Sequence, residues 1–162
     1  MKEYRAIVLI IDDSQLYRKF LKALLTNTLG VEVVEAQDPK VAFDYLRVNI
    51  PDLIILDMEL PLMDGYQILK HIRNNSRTKN VAVIPCTELK QEHLILNLLK
   101  LGISDYIDKK LPPKEIAHRI SKVLDKILGE ENETVSDQIK GELQDFGKDD
   151  SPEINDTNND KK

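Results

Sequence analysis

Five short apolar runs alternate with five stretches of helical period. Ala6 to Ile11 is uninterrupted and aliphatic, as suits a strand covered on both faces. Gln15 to Thr26 follows with Leu16, Phe20, Leu21, Leu24 and Leu25 predicted on one helical face; Ser14 is placed to cap it and Gly30 to stop it. Val31 to Ala36 alternates like a more exposed strand. Asp38 and Pro39 then open a helix that runs through Phe43 and Leu46. Leu53 to Leu56 predicts a third strand, entered from Pro51, and Tyr66, Leu69, Ile72 and Arg73 lie on the helix after it. Val81 to Cys86 reads as the fourth strand, Gln91 to Leu101 as a helix ending at Gly102, and Tyr106-Ile107 as a short fifth strand. Pro112-Pro113 opens the last helix, whose apolar positions Ile116, Ile120, Val123, Leu124 and Ile127 keep a helical period to about Leu128.

This is a (βα)₅ order. Strands and helices alternating at such spacing give a doubly wound parallel sheet with helices on both faces and right-handed crossovers. In that architecture ligands bind outside the carboxyl ends of the strands. The first strand ends in Asp12-Asp13, the third in Asp57, the fourth in Thr87, and the fifth leads into Lys109. Three carboxylates brought to one sheet edge repel one another unless a cation lies among them. A hard divalent ion with oxygen ligands, Mg²⁺ above all, suits one or two carboxylates plus water and phosphate oxygens. Asp57 then reads as a carboxylate nucleophile toward a phosphoryl group. Asp13 and Asp57 would hold the metal directly and Asp12 through water. Lys109 would supply a point charge, and the Thr87 hydroxyl would donate to a phosphoryl oxygen.

Composition narrows the classes further. The net charge of −5 is uneven. Residues 130–162 hold 11 acidic and 4 basic residues, against 17 acidic and 19 basic in residues 1–129. The expected division is therefore a domain over 1–129 and an acidic, mostly disordered tail over 130–162. Within the tail, Val135, Ile139, Leu143 and Phe146 recur at helical spacing, but the reading is a solubilising extension. No basic patch with interleaved aromatics suggests nucleic-acid binding. No apolar run is long enough to cross a membrane, and no secretory leader is read at the N-terminus. Cys86 is the one cysteine, which excludes an internal disulfide and suits a reducing cytoplasm. His71, His93 and His118 show no metal-ligand spacing and read as surface residues.

Four blocks carry a family resemblance: Ile11-Asp12-Asp13-Ser14, the run from Leu56-Asp57 through Met63-Asp64-Gly65, Cys86-Thr87, and the run from Gly102 through Tyr106 to Lys109. Residues 5 to 128 resemble the receiver domains of two-component response regulators. The resemblance implies a flavodoxin-like fold of strand order 2-1-3-4-5. It implies phosphorylation of Asp57 by a histidine kinase or phosphotransfer protein, with the Glu59 backbone carbonyl as a further Mg²⁺ ligand. It implies that Thr87 and Tyr106 relay the phosphorylated state to the face of the fourth helix, fifth strand and fifth helix, where a downstream protein or effector domain would bind. Two positions depart from the family pattern. Lys110 stands where a proline is usual, and Glu88 stands where a small residue is usual.

The fourth helix carries Leu94, Ile95, Leu96, Leu98, Leu99 and Leu101, which predicts either a deeply packed helix or a partner or dimer face. Two rival functions share some of these features. An aspartate-nucleophile phosphatase of the haloacid-dehalogenase type would need a second Asp two residues after the first, where this chain has Glu59. A phosphorylation-independent pseudo-receiver would be expected to lack Asp57, an acid pair or Lys109, and all are present. The expectation is a signalling module rather than an enzyme.

Overall fold

In the computed structural model, residues 3–88 and 92–129 are described. The acidic tail over 130–162 and Gln91 lie outside them. The elements run β1 (Ile7–Ile11), α1 (Gln15–Leu29), β2 (Glu32–Ala36), α2 (Pro39–Val48), β3 (Leu53–Asp57), α3 (Gly65–Asn74), β4 (Ala82–Thr87), α4 (Glu92–Lys100), β5 (Ile107–Asp108) and α5 (Pro113–Ile127). The five strands form one sheet in the order β2-β1-β3-β4-β5, and every pairing is parallel. The doubly wound parallel sheet is the one the alternation predicted, and its strand order is the flavodoxin-like one the resemblance implied.

The period of two along the strands sorts the core into two layers. Val8 and Ile10 of β1 and Leu53 and Ile55 of β3 pack with Leu21 and Leu25 of α1 and with Ile116, Ile120 and Leu124 of α5. Leu9, Ile11, Ile54 and Leu56 face the other way, onto Leu46 of α2, Ile68, Leu69 and Ile72 of α3 and Leu98 of α4. Both layers are close to fully buried, so the central strands read as continuous apolar runs rather than alternations.

Local signals set most of the boundaries. The Ser14 hydroxyl accepts from the Tyr17 N–H at the start of α1, and the Asp38 and Asp64 carboxylates do the same for Val41 and Gln67 at the starts of α2 and α3. Gly30, with φ of 65°, ends α1 in the left-handed conformation, which favours glycine. Pro85 sits inside β4. By the register, its missing N–H faces the β5 side, and β5 pairs only Cys86 and Thr87, so no ladder bond is lost there.

Three expectations shift. α1 continues to Leu29, one turn beyond Thr26. Leu16 is 81% exposed rather than on the packed face, and Tyr17 turns inward in its place. β5 begins at Ile107, so Tyr106 precedes the strand. Among the described residues no helix is long and apolar enough to cross a membrane.

Candidate functional site

Strand ends β1, β3, β4 and β5 deliver Asp12, Asp13, Asp57, Thr87 and Lys109 to one edge of the sheet. Carboxylate oxygens of Asp12, Asp13 and Asp57 lie within 4.8 Å of one another. Asp12 and Asp57 are only 2% and 3% exposed, whereas Asp13 is open to solvent.

The two buried acids are held differently. Asp12 Oδ1 accepts the Ser14 N–H at 2.8 Å and its Oδ2 accepts the Lys109 ammonium at 2.7 Å. Asp57 Oδ1 accepts the Glu59 N–H at 3.0 Å and lies 3.4 Å from Lys109 Nζ. Both Asp12 oxygens are therefore engaged, while the Glu59 N–H and Lys109 both fall on Oδ1 of Asp57. Burial raises the Asp57 pKa to about 6; the Glu59 N–H and the Lys109 charge oppose that rise, and the Asp12 charge adds to it. Burial works against the Lys109 ammonium, but the hydrogen bond and charge of Asp12 and the charge of Asp57 outweigh it and hold its pKa above the ordinary lysine value.

One ammonium among three carboxylates leaves the cluster electron-rich. An all-oxygen donor set of this size fits a hard divalent cation such as Mg²⁺ and does not fit a soft metal. Asp13 and Asp57 are the carboxylates best placed to coordinate it, because Asp12 is already paired.

Several supporting residues carried no clear signal in the sequence. The Tyr17 ring lies under Lys109, with Nζ 4.5 Å from its centroid, so a cation–π contact helps to aim the ammonium. Burial, then the neighbouring Cys86, Asp12 and Asp57, raises the Tyr17 pKa and keeps the phenol neutral. Arg18 donates to the Asp12 carbonyl at 2.7 Å and reaches Glu35 at 3.4 Å, tying the β1 end to β2. An arginine among the apolar positions of α1 was the one available hint. Gly65 packs so closely that an added Cβ would lie 2.5 Å from the Asp57 carbonyl oxygen and 2.7 Å from Met58 Cα.

The two departures have visible settings. The Lys110 N–H donates to Asp108 Oδ1 at 2.8 Å, a bond that proline cannot make, and the Lys109 N–H pairs with the Thr87 carbonyl at 3.0 Å. Glu88 is exposed and lines a cleft of about 590 Å³ with Ser14, Leu16, Tyr17, Phe20 and Lys109. Thr87 is buried beside the acids at the end of β4. Tyr106 is not brought to the acid cluster. It is half-buried against Ile95 and Leu99, with the Arg119 guanidinium 5.8 Å from its ring. Ile95 and Leu98 of α4 are buried, and Leu96 is 44% exposed.

A five-stranded doubly wound sheet whose strand ends gather three acids and a lysine defines an α/β class of protein with an acid-rich, cation-binding sheet edge. The comparisons place the chain within that class. Residues 8–121 match the model of the response regulator receiver domain, and the chain belongs to that family. The phosphate regulon transcriptional regulatory protein PhoB of Escherichia coli is 34% identical over 120 residues, which cover 74% of this chain and 52% of that protein. A protein-glutamate methylesterase/protein-glutamine glutaminase of Desulfotalea psychrophila is 35% identical over 116 residues, 71% of this chain and 30% of that protein. The chain thus spans about a third to a half of the curated relatives it matches. Among solved structures, the chemotaxis protein CheY4 of Vibrio cholerae superposes with a TM-score of 0.69 at 25% identity, covering 74% of this chain and 99% of that one. A signal receiver domain from Clostridium thermocellum does so at 0.67 with 31% identity, covering 75% and 98%.

Proposed function

We propose that this chain accepts a phosphoryl group on Asp57 from a phosphohistidine donor, a histidine kinase or phosphotransfer protein, within a two-component phosphorelay in the cytoplasm. The observation that carries this reading is the joint hold of Lys109 on Asp12 and Asp57 beside the exposed Asp13. Asp57 Oδ1 is pinned by the Glu59 N–H and Lys109, so Oδ2 is the oxygen presented for attack on phosphorus. As the new O–P bond forms, the donor's N–P bond breaks and the imidazole leaves. Lys109 neutralises charge on the equatorial oxygens, and the Thr87 hydroxyl donates to one of them. Asp13, Asp57 and the Glu59 carbonyl would hold Mg²⁺, with Asp12 contributing through water. The ion would supply positive charge at the phosphoryl oxygens and offset the acids.

The role is that of a switch rather than an enzyme acting on outside substrates. Asp57 ends the third strand and Glu59 stands two residues on, which does not supply the paired aspartates of a haloacid-dehalogenase-type phosphatase. Phosphorylation would draw Thr87 toward the phosphate and bias Tyr106, with its neighbours Ile95 and Arg119, between two arrangements of the α4–β5–α5 face. That face would meet a downstream protein, an effector domain or a second copy. Acetyl phosphate with Mg²⁺ should add one phosphoryl group by intact mass, and Asp57→Ala should abolish the gain. Undiminished labelling of that variant would overturn the assignment.

A further inference from the structure

At the edge of the sheet opposite Asp57, the carboxyl ends of α3, α4 and α5 converge around an open groove of about 730 Å³. Its lining includes Arg73, Lys79, Lys100 and Lys126 and no carboxylate. Arg73 is the clasp of this end: its guanidinium donates to the carbonyls of Lys79, Val81, Leu101 and Gly102 at 2.7–3.1 Å. The three lysines are different. All are exposed, and none forms an ion pair among the described residues. The placement of Lys100 and Lys126 in the last turns of α4 and α5 answers the partial negative charge at helix carboxyl ends. That accounts for one cation per helix end but not for an open groove with an apolar wall of Val123 and Ile127.

The remaining chain supplies a matching occupant. Lys126 and Ile127 stand on the groove's rim, and the chain leaves α5 two residues later through Gly129 in a left-handed turn. The next residues, Glu130, Glu131 and Glu133, begin a segment that holds 6 acidic residues and 1 basic residue up to Phe146. Glu130 follows Gly129 directly, and three further residues, if extended, reach about 10 Å, enough to bring Glu130 to Glu133 over a groove whose rim includes Lys126. The same segment offers Val135 and Ile139 to an apolar wall.

We infer that the acidic segment 130–146 docks in cis into the basic groove formed by Lys79, Lys100 and Lys126 at the end of the domain opposite Asp57. Docking would link the carboxyl ends of α4 and α5, the two helices that flank β5.

The test uses the full chain. Cys86 is buried, so a nitroxide attached through Ser136→Cys labels the tail alone. Amide signals of residues 79–82 and 100–104 should broaden, and those of Asp12 and Asp57 at the opposite edge should stay sharp. The broadening should be lost in Lys79→Glu/Lys100→Glu, whose exposed positions tolerate the change, and should also be lost in the unaltered domain as salt rises. Broadening absent from the groove, or persisting at high salt, would overturn the inference. So would broadening transferred in a mixture of labelled chain and unlabelled isotopically marked chain, which would assign the groove to the tail of a second copy.

Discussion

Asp57 makes a prediction about stability that does not depend on any phosphodonor. Its carboxylate is buried beside Asp12, and its pKa rises from an ordinary 3.8 to about 6. A folded pKa above the unfolded one means that the folded state binds the proton more tightly. The charged carboxylate therefore destabilises the fold fully above about pH 6, and the penalty disappears as pH falls from about 6 through 3.8. About two pKa units correspond to roughly 3 kcal/mol. The cluster opens to solvent at Asp13 and along the Glu88 cleft, so screening reduces this to about 1–2 kcal/mol. Asp57→Asn keeps the shape and an oxygen to accept the Glu59 N–H while removing the charge. In urea titrations with a chelator at pH 7.5, the variant should be more stable than the parent by about 1–2 kcal/mol, and the gap should close by about pH 4. Mg²⁺ at a hundred times its Kd should then reverse the order, since it adds about 2.7 kcal/mol to the protein that binds it. If Asp57→Asn is less stable at pH 7.5 without metal, or if the gap does not change with pH, the burial argument is wrong.

Three further outcomes follow from the same geometry. Asp13→Ala should weaken Mg²⁺ binding more than Asp12→Ala in a calorimetric titration, because both Asp12 oxygens are already engaged by Ser14 and Lys109; equal losses would contradict that division. Gly65→Ala should cost about 1–3 kcal/mol in chemical denaturation and slow labelling, because its methyl would meet the Asp57 and Met58 backbone; a neutral change would show that the α3 start can shift freely. Glu88→Ala should speed labelling by acetyl phosphate several-fold, taking two unit charges about 8 Å apart at an effective dielectric of about 20 and about half the interaction screened. The gain should shrink as salt rises, and no change at any ionic strength would place Glu88 outside the donor's path.

Sequence by itself determined the (βα)₅ order, the sheet edge that carries the chemistry, and the identity of the five residues gathered there. These were readable because each depends on local period, on a cap or on a strand end, and a parallel fold converts strand order into spatial convergence. Asp12, Asp13, Asp57, Thr87 and Lys109 each close or follow a strand, so no long-range geometry was needed to name them. Tertiary structure alone decided how they are held. Leu16 and Tyr17 are neighbours on α1, and the helical pattern put the leucine inside. The aromatic ring instead packs inward beneath Lys109, because that space is defined by β1, β4 and the β5–α5 loop together. Gly65 entered only as the end of a resemblance block, and its constraint is the backbone of β3's end, eight positions away in sequence. The leucines of α4 allowed either a buried or a partner-facing helix; packing on the sheet buries Ile95 and Leu98 and leaves Leu96 largely exposed. The convergence of Lys79, Lys100 and Lys126 is invisible in the chain for the same reason: separate elements bring them together, and local period carries no information about which elements end side by side.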